Sequence, residues 1–251
     1  MTEPSLKGRV ALVTGGAAGI GRATCLALAA EGADIAVMDL AAEAAAETAE
    51  LVTGHGVRSC AVATDVTDYD AVKAALAEVR AKLGDPAIVI CNAGIAGATN
   101  LFRNETKENW RRLFEVHVDG AYHCLRETIN PMLDARWGRI VCTSSVAAVL
   151  GMRGAAAYAA AKGALLGLIR SLATEGASRG VTANAVLPGV IQTALMEEGV
   201  RHVKEQLVAS IPMGRIGEPE DIAGAVAYLC SERGGYVTGQ LLSPNGGIWY
   251  P

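Results

Sequence analysis

Short apolar runs alternate with longer amphipathic or alanine-rich stretches along the whole chain, and the period of each segment predicts its element. Runs rich in β-branched residues read as buried strands at Arg9 to Val13, Asp34 to Met38, Val57 to Ala63, Ala87 to Cys91, Gly138 to Thr143, Val181 to Leu187 and Gln240 to Ser243. Helical spacing runs over Arg22 to Glu31, Ala41 to Thr53, Asp68 to Lys82, Glu105 to Asp134, Ala155 to Ser178 and Pro219 to Cys230. Met196 to Ser210 reads as an amphipathic lid. Strands alternating with helices throughout predict an α/β fold: a doubly wound parallel sheet of about seven strands, with helices on both faces.

No Pro/Ser-rich or highly charged block interrupts this pattern, so residues 1–251 are expected to form one domain with a small substrate lid around 194–212. With 51% hydrophobic residues the chain can bury a substantial core. A net charge of −4 speaks against nucleic acid as a main partner, because phosphate binding needs a basic surface. No apolar run reaches the roughly 18 to 20 residues that span a bilayer, and Met1 to Lys7 lacks a signal-peptide core, so a cytoplasmic location and no membrane partner are expected. The six cysteines are dispersed and form no Cys-x-x-Cys pair, and the four histidines have no zinc-ligand spacing. Reduced core cysteines and no metal are the expectation.

The first strand ends in Thr14-Gly15-Gly16-Ala17-Ala18-Gly19-Ile20-Gly21 and a helix follows. Strand, glycine turn and helix start are the context in which backbone amides cradle a pyrophosphate. The second strand ends at Asp39, about 20 residues after that turn, where a carboxylate suits the two hydroxyls of an adenosine ribose and repels a 2′-phosphate. No Lys or Arg stands at Gly16 to Ala18 or at Leu40, while Arg22 could face either way. NAD is therefore favoured over NADP. Asp65-Val66 and Asn92-Ala93-Gly94 follow later strands, on the sheet edge where open α/β folds bind ligands.

Tyr158 and Lys162 are four residues apart in a helical stretch, which brings phenol and ammonium to one face. A free tyrosine titrates near pH ~10, and a neighbouring cation is expected to move it toward the working pH. The spacing recurs at Tyr69 and Lys73, where it reads as a solvated helix face. The surroundings must separate the two pairs.

In order and spacing, Thr14-Gly-x-x-x-Gly-Ile-Gly21, Asp65, Asn92-Ala93-Gly94, Ser145, Tyr158-x-x-x-Lys162 and Pro188-Gly189 resemble the short-chain dehydrogenase/reductase family over nearly the whole chain. Arg215-x-Gly217-x-Pro219 and Thr238-Gly239 resemble its C-terminal signature. The likeness is nearest to the branch with bacterial 3-oxoacyl reductases and NAD-dependent secondary-alcohol dehydrogenases. It implies a Rossmann-type dinucleotide-binding and catalytic domain. Gly15, Gly19, Ile20 and Gly21 would lie at the pyrophosphate, Asp39 at the ribose, Asp65 and Val66 at the adenine, and Asn92 and Gly94 under the cofactor. Pro188, Gly189, Ile191 and Thr193 would shape the nicotinamide side. Tyr158 would act as acid/base, Ser145 would bind the substrate oxygen, and Lys162 would lower the Tyr158 pKa and hold the nicotinamide ribose.

The chain departs from the family pattern twice. Val116-His117-Val118-Asp119-Gly120 places His117 where an Asn is usual, and its imidazole is either a proton relay or a packed helix residue. Asn245 replaces a common Asp in what reads as a turn or subunit contact, and Trp249-Tyr250 follow as an oligomer contact or a pocket wall. The family likeness implies a homotetramer. Ile95 to Leu101, Val146 to Arg153 and Ala194 to Val200 form the expected pocket rim, with Ile95, Ala96, Leu101, Val149, Leu150, Met152, Leu195 and Met196 making it apolar. The expected activity is NAD-dependent interconversion of a hydrophobic secondary alcohol, cyclic ones included, with its ketone. The alternatives are an NADPH-dependent 3-oxoacyl reductase and a non-catalytic cofactor-binding regulator.

Overall fold

The computed structural model describes residues 5–193, 196 and 204–250. Seven parallel strands form one sheet in the order β3-β2-β1-β4-β5-β6-β7. They are β1 Val10–Thr14, β2 Asp34–Asp39, β3 Ser59–Ala63, β4 Ile88–Cys91, β5 Gly138–Thr143, β6 Val181–Val186 and β7 Leu241–Leu242. The order reverses between β1 and β4, so a crevice opens where those strands end.

Parallel strands covered on both faces are apolar throughout, and β1, β4, β5 and β6 are buried at every position. Alternate side chains then divide between two cores. Val10 and Leu12 join Ala36 and Met38 on one face, beneath α3 (Tyr69–Lys82), α5 (Gly120–Ala135) and α7 (Ala156–Gly176). Ala11 and Val13 join Ile35 and Val37 on the other, beneath α1 (Gly19–Ala30), α2 (Ala42–Thr53) and α9 (Pro219–Cys230). Further helices among the described residues are α4 (Lys107–Phe114), α6 (Ala147–Leu150) and α8 (Lys204–Ala209). Residues 194, 195 and 197–203 of the expected lid and rim lie outside the described residues.

The stretch from Glu105 to Asp134, expected to be mostly helical, is so but in pieces. It comprises α4, a wide π turn at Glu115–Asp119 and α5, with a 3-10 turn at Phe102–Asn104 before it. A π turn inserts an extra residue into the helical spiral and often marks a functional position. Here it carries His117 inward. Pro131 sits inside α5, where proline removes the hydrogen bond to the carbonyl four residues back. That carbonyl, Glu127 O, accepts from Arg80 NH2 at 2.6 Å instead. All six cysteines are free and buried.

Candidate functional site

The glycine turn is held from three sides. Thr14 Oγ1 accepts from the amides of Asn92 and Ala93, both at 3.0 Å, and Asn92 Nδ2 donates to the carbonyls of Thr14 and Gly15. Thr143 Oγ1 donates to Asn92 Oδ1 at 3.2 Å, so Asn92 ties the ends of β1, β4 and β5 together. Gly15 has φ +64°, and a Cβ there would stand 2.9 Å from Ala93 Cα. A Cβ on Gly21 would run into the Gly15 carbonyl. These glycines are required by the protein's own packing.

Helix α1 begins at Gly19, and its N-cap, Ala18, supplies no capping side chain. Its first amides are left for an outside acceptor. Ile20 packs against the core behind them, while Thr193 comes within 3.3 Å of where a Gly19 Cβ would be. Asp39, at the end of β2, accepts from the amides of Ala17 and Ala41 at 3.0 Å each, which anchors the carboxylate beside the turn. An uncapped helix start with an anchored acid one strand away fits the pyrophosphate and ribose of a dinucleotide.

Arg22, which could have faced either way, turns to α2. Its Nε donates to Thr48 Oγ1 at 2.9 Å, and its guanidinium meets Ala44 O and Glu47, each at 3.4 Å. Asp65 accepts from both the amide and the hydroxyl of Thr67, and these bonds hold its carboxyl below the usual range. Val66 is buried against Gly120 and its carbonyl meets His123 Nδ1 at 2.8 Å. Pro188 O accepts from Val146 N at 3.2 Å, Gly189 lies against Asn245, and Ile191 is buried beside Gly217.

Ser145, Tyr158, Lys162 and His117 converge beyond the ends of β4 and β5. Ser145 hydrogen-bonds Tyr158, which lowers the phenol, but burial is the larger influence and leaves it above its ordinary value near 10. The expected downward push from Lys162 is not among the two influences acting on the phenol. Lys162 Nζ lies 5.8 Å from the Tyr158 ring centroid and donates to the Thr143 carbonyl at 2.8 Å. Burial pushes Lys162 down to about 8, opposed by the neighbouring thiols of Cys142 and Cys91. His117 stands edge-on to Tyr158, with ring centroids 5.6 Å apart at 84°. Its Nε2 is 2.9 Å from Ile95 O. Burial first, and Lys162 second, push it down to about 3.

Neighbouring residues take structural parts. Ser144 Oγ donates to the Lys162 carbonyl at 2.8 Å, locking α7 to the end of β5. Tyr69 donates to Glu127, which raises its pKa on an open helix face, and Lys73 is exposed. The second Tyr-x-x-x-Lys thus meets neither a serine nor the strand ends. Asn245 Nδ2 donates to Ser243 Oγ and to Trp249 O, both at 2.8 Å, while Oδ1 accepts from Gly247 N. An aspartate has no donor for Trp249, so the amide serves the C-terminal turn. Trp249 packs against the core and Tyr250 is exposed.

Sequence reasoning missed the backbone groups, Thr143 O and Ile95 O, because carbonyls leave no mark in residue identity. It also missed Asn109. The Asn109 side chain accepts from Ala98 N and donates to Glu105, both at 2.8 Å, and so holds the rim loop 95–101 in place. Leu101, Phe102, Val149, Leu150 and Met152 stand exposed around this rim. Arg153 is also exposed. Among the described residues no His/Cys/Asp/Glu cluster suits a metal ion, and no helix is long and apolar enough to cross a membrane.

Residues 15–248 match the family model described as Enoyl-(Acyl carrier protein) reductase. The 3-oxoacyl-(acyl-carrier-protein) reductase FabG of Pseudomonas aeruginosa is 39% identical over 245 residues, covering 98% of this chain and 99% of that protein. Acetoacetyl-CoA reductase of Rhizobium meliloti is 38% identical over 96% of this chain and 99% of its own. Among solved structures, levodione reductase superposes with a TM-score of 0.93 at 30% identity, covering 96% of this chain and 98% of that one.

Proposed function

Because the chain belongs to the short-chain dehydrogenase/reductase family, acting as an oxidoreductase on a CH–OH/carbonyl pair, we propose that it interconverts a hydrophobic secondary alcohol and its ketone with NAD. One observation carries this reading: Ser145, Tyr158 and Lys162 meet at the strand-end crevice that begins with the glycine turn and Asp39. Ser145 and Tyr158 donate hydrogen bonds to the substrate oxygen and fix its position. Tyr158 takes the proton from the alcohol or returns it to the carbonyl. Lys162, anchored on Thr143, would hold the ribose hydroxyls with its remaining donors, while the proton stays on Tyr158. When bound, the nicotinamide supplies the hydride acceptor and a positive charge that draws the phenol down from its raised value.

The exposed apolar rim of Leu101, Phe102, Leu150 and Met152 supports an uncharged apolar substrate, cyclic ones included. Asp39 supports NAD, since its carboxylate opposes a 2′-phosphate and the nearby Arg22 is engaged by Thr48 and Glu47. A cytoplasmic homotetramer completes the proposal. The second reading, an NADPH-dependent 3-oxoacyl reductase, is favoured by the names of the relatives that match along their whole length.

The test compares NAD with NADP over a panel of secondary alcohols, and NADH with NADPH on acetoacetyl-CoA, following reduced-cofactor absorbance. Higher kcat/KM with NAD on cyclic and aryl alcohols supports the first reading. Higher kcat/KM with NADPH on acetoacetyl-CoA replaces it with the second.

A further inference from the structure

Leu101 and Phe102 are 38% and 72% exposed at the tip of the segment between β4 and α4. Large apolar side chains held in water together, rather than scattered singly, mark a contact surface. Asn100 N donates to Gly154 O at 2.9 Å, and Asn100 and Ala155 form an isolated parallel bridge. That bridge sets the tip against the loop that carries the exposed Leu150 and Met152.

One side chain ties both ends of this segment. Asn109 Oδ1 accepts from Ala98 N, and Asn109 Nδ2 donates to Glu105 Oε1, both at 2.8 Å, so Leu101 and Phe102 lie on a loop closed at 98 and 105. A backbone amide only donates and a carboxylate only accepts, so a single orientation of the Asn109 amide satisfies both. An aspartate would face Glu105 with like charge, and an alkyl side chain would offer neither bond. Asn109 is itself placed by the N-cap of α4, where Thr106 Oγ1 accepts from its amide at 3.1 Å. A Cβ on Gly97 would stand 2.8 Å from Leu113 Cδ1 and 2.9 Å from Asn109 Oδ1, so the loop lies directly on α4. Leu113 is in turn the α4 member of a small core with Ala157 and Ala161 of α7, against which Tyr158 packs. The loop and the phenol therefore share one support.

We propose that Asn109 is a positioning residue that holds the Leu101–Phe102 tip as the apolar wall met by the part of the substrate farthest from its carbonyl, and so sets a preference for ketones large enough to reach it. This rests on the oxidoreductase reading above, which puts the reacting carbon at Ser145 and Tyr158. A ketone of a few carbons occupies the space beside Tyr158 and gains nothing from the tip. A fused bicyclic ketone extends to it and buries Phe102. The contact is made equally in the ground state and the transition state, so it acts on KM and leaves kcat nearly unchanged.

Amide hydrogen exchange without cofactor tests the tie. The Ala98 amide is expected to be protected in wild type and to exchange at least about tenfold faster in Asn109→Ala. Equal exchange in the two proteins overturns the proposal. Reduction of trans-1-decalone and of 2-butanone by NADH tests the wall. Phe102→Ser and Asn109→Ala are each expected to raise KM for the decalone by about five- to tenfold, with kcat within about twofold and with KM for 2-butanone and NADH affinity unchanged. Added to Phe102→Ser, Asn109→Ala is expected to change the decalone KM by less than about twofold, because it acts through the tip. Asn109→Asp combined with Glu105→Gln exchanges donor and acceptor between helix and loop, and is expected to keep KM within about twofold of wild type. This pair also serves where Asn109→Ala folds poorly, since a large rise in its decalone KM overturns the proposal. Equal rises in KM for both ketones, an unchanged decalone KM in Phe102→Ser, full additivity in the double variant, or a wild type that reduces neither ketone overturns it too. Tyr158→Phe is run alongside to separate the two failures. If it reduces the decalone as fast as wild type, the oxidoreductase reading falls, and the exchange result still decides whether Asn109 closes the loop.

Discussion

Lys162 Nζ donates to the Thr143 carbonyl at 2.8 Å, so the last residue of β5 holds the ammonium that α7 presents. Burial brings Lys162 to about 8, against an ordinary 10.5. Between those values the unfolded chain holds a proton that the folded chain has released, so stability rises with pH there, and below about 8 the folded protein bears the full penalty. The gap corresponds to roughly 3 kcal/mol, and removing the amine leaves Thr143 O unpaired at a cost of about 1 to 2 kcal/mol. Lys162→Met is therefore expected to be more stable than wild type near pH 7 by about 1 to 2 kcal/mol. The advantage disappears as pH approaches 10.5. Urea unfolding across that range tests this, and a stability difference that does not change with pH would contradict it.

Tyr158 without cofactor is held above 10 by burial, so it remains a phenol across the physiological range. Phenolate absorbance near 295 nm, taken as wild type minus Tyr158→Phe, is expected to show no titration below pH 10 in the free protein. Adding NAD is expected to bring the step to lower pH, because a positive charge favours the phenolate. Alcohol oxidation then rises with pH and ketone reduction falls. Tyr158→Phe is expected to lower kcat by at least about 100-fold, within the range of general acid/base catalysis. Ser145→Ala leaves Tyr158 without its one opposing hydrogen bond and is expected to shift the oxidation profile to higher pH. A profile identical to wild type would remove Ser145 from the phenol's environment.

Arg22 is bound by Thr48 and Glu47, and Asp39 by two amides, so the proposed ribose end presents an acid and no free arginine at these positions. Asp39→Ser with Leu40→Arg is expected to move the NADP/NAD affinity ratio by at least about tenfold toward NADP, the worth of roughly 1.4 kcal/mol of charge interaction near a surface. Fluorescence titration with NADH and NADPH measures it. Thr48→Val frees Arg22 from one partner and is expected to shift the ratio in the same direction, by less. No change in either variant would show that the ribose lies elsewhere.

The sheet was legible because its central strands are apolar on both faces, and β5 and α9 have the expected bounds. Helix α1 starts at Gly19 rather than Arg22, because packing against Gly15 and Asn92 overrides the poor helical propensity of Gly21. The π turn at His117 was hidden, since the residues on either side keep helical spacing. In the site, side chains with a characteristic spacing were readable, and Tyr158 separated from Tyr69 as Ser145 suggested. The direction of Arg22 and the carbonyls of Thr143 and Ile95 were not, because they depend on the placement of distant elements.

Gly21 separates packing from cofactor binding at the turn. Its missing side chain is where the Gly15 carbonyl passes, and Asn92 Nδ2 would lie 2.8 Å from an added Cβ. Gly21→Ala must therefore displace the backbone of β1's exit, at a cost of about 2 to 4 kcal/mol of stability even without ligand. Gly19 differs: its φ of +52° strains an alanine, but the nearest atom is the Thr193 methyl at 3.3 Å. That side chain can give way. Gly19→Ala is expected to cost about 1 to 2 kcal/mol of stability, with most of its effect falling on cofactor affinity through the displaced amides. Thermal unfolding and NADH titration of both variants test the distinction. Equal stability losses would mean that Gly19, like Gly21, is demanded by the fold.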